Sequence, residues 1–377
     1  MSNISLNVKA HIFRRVIPAI ILAEKNSSEK KVQFAKKLLA ARQSAANLNK
    51  IVRYKGNKIT RAEKYQLLSA RLSNATLLQS RQPPASSERM NLKERMDSLQ
   101  DKLLPKKDKP DDRYLSPLIN PLIFPPAFKD NLNRFSDIRA KARTAVGDQL
   151  NANKISIAGE NIAIASQYPL PHQVENYLKM LVDYRTPVVA VLSSQSEIAN
   201  AKNRMPAYFL GSNSYPCGIK TQSKLIAAIS LGDGLEAKIY RLEIRGYDKG
   251  VAINVIHVDN WPDKTAVSGK ATTILANEIN QITAAGIKKY KEKGGRSIGN
   301  PDKLLPVVHC RAGVGRTGQI IAAMAMQKLP KGISLEKIVA DMRHSRNGFM
   351  VQKEQQFDVL MELAEQQGRP LIGHRGA

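Results

Sequence analysis

The stretch of this chain richest in chemistry is Val307-Val308-His309-Cys310-Arg311-Ala312-Gly313-Val314-Gly315-Arg316-Thr317-Gly318. An apolar run that reads as a strand ends in a short glycine-containing loop, and the residues after it read as a helix. Such a loop turns successive backbone N–H groups inward, and the helix N-terminus adds the positive end of its dipole. The product is an oxyanion cradle. A cysteine at its base is held as the thiolate, the nucleophilic form. Arg316 can return to the rim and grip two phosphate oxygens in bidentate fashion. Thr317 puts a hydroxyl where it can stabilise the sulfur as a leaving group. Cys-x5-Arg alone is modest evidence; with His309 before it, glycines within it and Thr317-Gly318 after it, chance is a poor explanation. Cys217 reads instead as a small buried hydrophobe.

Breaking a phosphate ester also requires protonating the departing oxygen, so a carboxylic acid must arrive beside it. Asn260-Trp261-Pro262-Asp263 supplies one after an apolar strand, with a proline-stiffened turn suited to a mobile acid loop. Trp261, the single tryptophan, can hinge that loop. Standing alone, the segment would read as a turn aspartate beside a core tryptophan; in company with the cysteine loop it reads as the acid.

The elements that must position these groups fall into two regions. Residues 1–104 read as helical, with apolar stripes at Val32–Leu48 and at Leu92, Met96, Leu99 and Leu103, and a capping-box spacing from Thr60 to Glu63. These stripes either pack on each other or bind a partner. Six prolines between 105 and 126 break helix and strand alike, so 105–128 reads as a linker. From 129 to 377 the pattern alternates. Strands are expected at 187–192, 252–258 and 304–308, and helices at 173–183, 270–291, 317–327, 334–343 and 354–366. That alternation predicts an α/β fold, a sheet covered by helices on both faces. No internal repeat is evident.

Composition bounds the partners. The 377 residues carry 59 Lys and Arg against 32 Asp and Glu, a net charge of +27, and more than half of that excess lies in the first 130 residues. Such a field favours polyanions: nucleic acid, anionic membrane or acidic phosphopeptides. No zinc-ligand spacing or interleaved basic and aromatic run supports nucleic acid. No apolar run is long enough to span a membrane. The run Val16–Ala23 after Arg14-Arg15 is short, holds a proline and lacks a clear cleavage site, so it is not read as a secretory signal peptide. Two cysteines make no disulfide framework and point to a reducing working compartment. No metal or cofactor is expected.

The two motifs resemble the phosphate loop and acid loop of the protein tyrosine phosphatases. Gln167–Leu170, Ser196–Asn200, Asn260–Ser268, the cysteine loop, Arg346–Lys353 and Asn133–Arg139 extend the resemblance to the bacterial type III secreted effectors of that family, over about residues 130–372. It implies the protein tyrosine phosphatase fold, a twisted mixed sheet with helices on both faces, beside a smaller, mainly helical N-terminal region. It also implies roles. Cys310 is the nucleophile, Arg316 the clamp and Asp263 the acid and then base. Glu197 holds Arg316, Gln352 positions the hydrolytic water with help from Gln356, and His309 and Thr317 tune the thiolate. Arg311, Ala312, Gly313, Val314 and Gly315 cradle the phosphate. Phe135, Asp137, Ile138, Trp261 and Phe349 surround the phosphotyrosine. Lys264, Phe349 and Gly318 depart from the effector pattern, where Gln, an aliphatic residue and Ala are expected.

The function so implied is hydrolysis of phosphotyrosine in host proteins, with delivery by a type III system into host cytoplasm and a secretion chaperone on the N-terminal region. Two rivals are a module that captures phosphotyrosine without turnover and a dual-specificity or phosphoinositide phosphatase. Intact Asp263 and Gln352 speak against the first; the absence of lysines in the cysteine loop speaks against the second. Nucleic-acid binding by residues 1–128 is a third rival, and salt-dependent retention on DNA would be its signature.

Overall fold

The computed structural model describes residues 87–104, 133–135, 137–292 and 303–373, with short pieces between 39 and 68. The chain divides into two compact units, Met1–Ser87 and Glu88–Ala377. In the first, β1 (Ile51–Tyr54) pairs antiparallel with β2 (Asn57–Thr60), Ile51 opposite Thr60. A hairpin therefore stands inside the region expected to be helical, where β-branched Ile51, Val52, Ile59 and Thr60 favour extended backbone. Thr60, expected to cap a helix, ends β2 and stands just before the helical residues that begin at Ala62. Beyond Thr60, the described residues Ala62, Lys64–Gln66 and Leu68 are helical, as expected, with Tyr65 and Leu68 buried. Most of the stripe at 32–48 and the whole 105–128 linker lie outside the described residues.

The second unit begins with helix α1 (Ser87–Leu103). There follow β3 (Ala152–Ile157), β4 (Glu160–Ser166), α2 (Val174–Asp183), β5 (Val188–Val191), α3 (Gln195–Ala199) and β6 (Ser212–Ser214). The long hairpin β7 (Lys220–Gly232) and β8 (Leu235–Arg245) leads to β9 (Val251–Val258), α4 (Gly269–Glu292), β10 (Val307–His309), α5 (Gly315–Lys328), α6 (Leu335–Ser345) and α7 (Glu354–Gln366). One sheet takes the order β3-β4-β10-β5-β9-β8-β7-β6. Its centre, β4-β10-β5-β9, is parallel, and antiparallel strands close both sides.

The central strands are short apolar runs because both faces are covered. Alternation along them feeds two cores: Val188 and Ala190 face one, with α4, α5 and α6, while Val189 and Val191 face the other, with α2. Helix α5 is buried along nearly its whole length. The expected strands at 187–192 and 252–258 match β5 and β9, and the expected helices match α2 and α4–α7 closely. The hairpin β3–β4 and strands β6–β8 were not expected. β7 is exposed along most of its thirteen residues and carries no clean apolar alternation.

Helix α1 was expected with the N-terminal region, yet it packs in the second unit. Leu92 and Met96 are buried in the same core as α5–α7, each worth about 1.5–3 kcal/mol of burial. Lys93 pairs with Glu354 at 2.7 Å, Arg89 with Glu365, and the buried Arg343 guanidinium donates to the Met96 carbonyl. The boundary therefore lies at Ser87/Glu88, at the start of α1, because the Leu92–Leu103 stripe buries its apolar face against this sheet-and-helix unit.

Candidate active site

The site lies where ligands gather in open α/β sheets, at the C-terminal ends of the parallel strands. β10 delivers His309 and Cys310, β5 leads into Ser194 and Glu197, and β9 leads into the acid loop. The turn from β10 into α5 is tight. Gly313 has φ +71°, and a Cβ there would stand 2.0 Å from the Ser166 carbonyl oxygen. Only glycine fits that close approach. The Gly313 N–H donates to Cys310 Sγ at 3.2 Å, so this loop amide turns toward a buried sulfur.

From below, the loop is fixed by Arg346. Its guanidinium is fully buried and donates to the carbonyls of Gly313 (2.7 Å), Ala312 (3.5 Å) and Ala165 (3.1 Å), and to Asn153 and Asn151 at 3.0 Å each. Holding those loop carbonyls outward leaves the loop N–H groups facing the cradle. Burial pulls its pKa down to about 9, with the Cys310 charge opposing. The motif Arg346–Lys353 carries no sequence-derived role for Arg346. A buried arginine with five acceptors is a tertiary fact, and nothing in the amphipathic stretch Leu335–Ser345 before it sets it apart from the neighbouring Arg343.

Arg316 is the hub. Ser194 caps α3 in a capping box, its hydroxyl accepting from the Glu197 N–H while the Glu197 carboxylate accepts from the Ser194 N–H. That reciprocal turn aims Glu197 at the guanidinium, which it meets with both oxygens at 2.7 and 2.9 Å. Nη1 also donates to the Leu192 and Trp261 carbonyls at 2.9 Å, and Nη2 reaches Asp263 Oδ1 at 2.8 Å. Burial works against the charge on Arg316, but Glu197, Cys310 and Asp263 outweigh it and hold its pKa above the ordinary value. Burial likewise raises Glu197, and the Arg316 contacts overcome it, leaving the carboxylate below its usual range.

The acid loop is tied at its ends and open at its middle. Asn260 donates to the Gly234 carbonyl at 2.8 Å, on the β7–β8 turn. Trp261 is wholly buried and its indole N–H donates to the Thr265 carbonyl. It contributes a carbonyl to Arg316 and a side chain to the core, so its ring does not line the substrate pocket as expected. Gln356, buried, donates to the Thr265 carbonyl at 3.0 Å and accepts from the Gln352 and Lys353 N–H groups. Asp263 Oδ1 accepts a second bond from the Lys264 N–H at 2.9 Å, with Lys264 at φ +61°. Gln352 is exposed beside the cradle; a Cβ on Gly315 would lie 3.4 Å from Gln352 Cβ.

His309 is buried among Tyr168, Tyr177 and Tyr208, with Nε2 against the Tyr208 hydroxyl at 2.7 Å and Nδ1 3.4 Å from the Cys310 carbonyl. Burial pushes its pKa down to about 3. It is neutral at physiological pH, so any influence on the sulfur passes through the Cys310 carbonyl and not through an imidazolium. The Thr317 hydroxyl is buried with no hydrogen-bond partner among the described residues.

At the entrance, Phe135 is half-buried with the Arg311 guanidinium 5.6 Å from its ring centroid, and Asp137 is exposed. Ile138 instead turns into the core, its carbonyl held by Asn151 and Gln167. Phe349 is half-buried against the core rather than standing free at the site. Gly318 abuts the 346–353 loop, where a Cβ would meet the Val351 nitrogen at 2.5 Å. Cys217, expected buried, is exposed. Among the described residues no cluster of His, Cys, Asp and Glu could hold a metal ion, and no helix is long and apolar enough to cross a membrane.

Comparison with known proteins places this geometry. Tyrosine-protein phosphatase YopH of Yersinia pseudotuberculosis is 44% identical over 292 residues, 77% of this chain and 60% of that protein. Secreted effector protein SptP of Salmonella paratyphi A is 31% identical over 231 residues, 60% of this chain and 40% of that protein. The chain thus spans about three fifths of YopH and two fifths of SptP. The catalytic domain of human protein tyrosine phosphatase non-receptor type 18 shares the fold, with a TM-score of 0.55 at 20% identity over 74% of this chain and 94% of that one. The family model for protein-tyrosine phosphatase matches residues 131–366. With cradle, clamp and acid loop all inside those bounds, the chain belongs to the protein-tyrosine phosphatase family.

Proposed function

We propose that this chain hydrolyses phosphotyrosine in proteins through a phosphocysteine on Cys310. The observation that carries the reading is Arg316, held by both oxygens of Glu197 and reached on its other nitrogen by Asp263. Clamp and acid thus meet at hydrogen-bond distance. In the first step Cys310 Sγ bonds to phosphorus, the P–O bond to tyrosine breaks, and the leaving oxygen takes a proton from Asp263. In the second, water attacks phosphorus, Asp263 takes a water proton, and the P–S bond breaks to restore the thiolate. Oδ1 of Asp263 is engaged by Arg316 and Lys264, so Oδ2 is the oxygen that carries the transferable proton. Loop amides and Arg316 stabilise the phosphoryl oxygens throughout. Thr317, with its unpartnered hydroxyl, donates to the sulfur as it leaves, and Gln352, supported by Gln356, orients the water.

Selectivity for tyrosine rests on Phe135 and Asp137 at the entrance. Likeness to YopH and SptP supports action as a secreted bacterial effector on host phosphoproteins, with type III delivery and a chaperone on the N-terminal unit as the further parts of that proposal. The test is release of phosphate from a phosphotyrosine peptide and a matched phosphoserine peptide. Turnover of the tyrosine peptide alone, lost in Cys310→Ser, is expected. Binding without release would assign the chain to phosphotyrosine capture.

A further inference from the structure

We propose that the second unit carries a second binding site, remote from Cys310, for a small anionic amphiphile: an apolar or aromatic body bearing one carboxylate, sulfonate or phosphate head. The site is a cleft of about 610 Å³, within the ordinary size of a small-molecule pocket. It lies at the opposite end of the parallel strands from the cysteine loop. Thr186-Pro187 enters β5, Val251–Asn254 opens β9 and Leu304 approaches β10, and all line it. The last turns of α4 close one side. That wall stands close, since a Cβ on Gly286 would meet Pro187 Cβ at 2.8 Å.

Three features point to the ligand. The floor is apolar, built from Val182, Pro187, Ile253 and Ile282. Around it stand Arg185, Arg241, Lys249 and Lys289 against the single acid Asp248. Arg185 lies over the Tyr290 ring at 4.9 Å, and Arg241 is steadied by Asn254 at 3.2 Å. Neither Lys249 nor Lys289 makes an ion pair with a described residue. A strongly basic protein carries lysines everywhere, so these alone would mean little. The third feature is independent of charge: Thr186, 1% exposed, lines the cleft, and its hydroxyl has no hydrogen-bond partner among the described residues. Burying a hydroxyl unpaired is costly, and rotation of the Thr186 side chain toward the cleft would offer it to a ligand's polar head. Apolar floor, cationic rim and orphaned donor together describe the complement of an anionic amphiphile.

The experiment is a fluorescence titration of the full chain with 1-anilinonaphthalene-8-sulfonate and with its uncharged twin, N-phenyl-1-naphthylamine. Two variants accompany the wild type: Lys249→Glu/Lys289→Glu, which reverses the rim, and Ala285→Phe, which fills the cleft from α4. Thermal melts check that both are folded. The sulfonate dye is expected to lose about tenfold or more in affinity on rim reversal, the neutral dye to be unaffected by it, and both dyes to weaken in Ala285→Phe. Inorganic phosphate alone is expected not to displace the sulfonate dye at the cleft, whereas decyl phosphate competes, separating the amphiphile from a bare anion. Equal binding by all three proteins overturns the proposal. So does displacement of the dye by vanadate, which would place it at Cys310. Binding that emerges only when residues 293–302 are replaced by a short linker would give the cleft to the chain's own segment and overturn it as well.

Discussion

The cysteine loop and the acid loop face each other across Arg316, and they are built on opposite plans. The cysteine loop is buried, its carbonyls tied down by Arg346 and its turn set by a glycine that admits no side chain. The acid loop is anchored by Asn260, Trp261 and Gln356, while Pro262, Asp263 and Lys264 between those anchors are exposed. The difference follows from what each supplies. A cradle for a phosphoryl group gains by being preorganised, since fixed dipoles need no rearrangement as charge develops. An acid must reach the leaving oxygen and also let product out, so it gains by a hinge.

The comparison breaks most severely at Gly313. Gly313→Ala puts a methyl against the Ser166 carbonyl and into a left-handed backbone, which by itself costs about 1–3 kcal/mol. Near-complete loss of activity with a lowered melting temperature is expected from an aryl phosphate assay and a thermal scan. A variant with full activity would show that the cradle is adaptable after all. Next comes Asp263→Asn, which keeps the size of the side chain and the Lys264 bond but removes the acid. Activity should fall by about 10²–10⁴-fold while the melting temperature barely moves, because the exposed loop contributes little to folding. A large loss of stability would mean the acid loop is a structural element and the contrast is false.

The smallest effect sharpens the buried side. His309 has a folded pKa of about 3 against about 6.5 when unfolded. The unfolded chain therefore binds the proton first, and stability present above pH 6.5 is lost as pH falls from there toward 3. His257, also lowered, by burial, acts in the same direction. Chemical denaturation at pH 7.5 and pH 5 should give a lower stability at pH 5, and His309→Phe should reduce that difference. An unchanged difference would remove His309 from the account.

How much of this was legible in the sequence depends on how local each feature is. β10, the cysteine loop and α5 form one continuous stretch, and strand, turn and helix announce themselves by apolar run, glycine and periodicity. The fold class followed from strands and helices alternating beyond residue 129. β7 did not show, because a strand exposed on most of its length carries no alternation to read. Nor did the partnership of α1 with the second unit, which depends on Arg343 and Met96 meeting across some 250 positions of chain. Arg346 and Asn151 were invisible for the same reason. Glu197 sits between: its capping box is local, but its aim at Arg316 is not, and a family resemblance supplied the role.

The most direct test of the central claim is to catch the phosphoryl group on the sulfur. Gln352→Ala, which should slow the second step, is mixed with a phosphotyrosine peptide, quenched in acid within milliseconds, digested and analysed by mass spectrometry. The account predicts a phosphoryl group on the peptide containing Cys310, absent in Cys310→Ser. Turnover proceeding with no phosphorylated Cys310 peptide at any quench time, or persisting in Cys310→Ser, would contradict it.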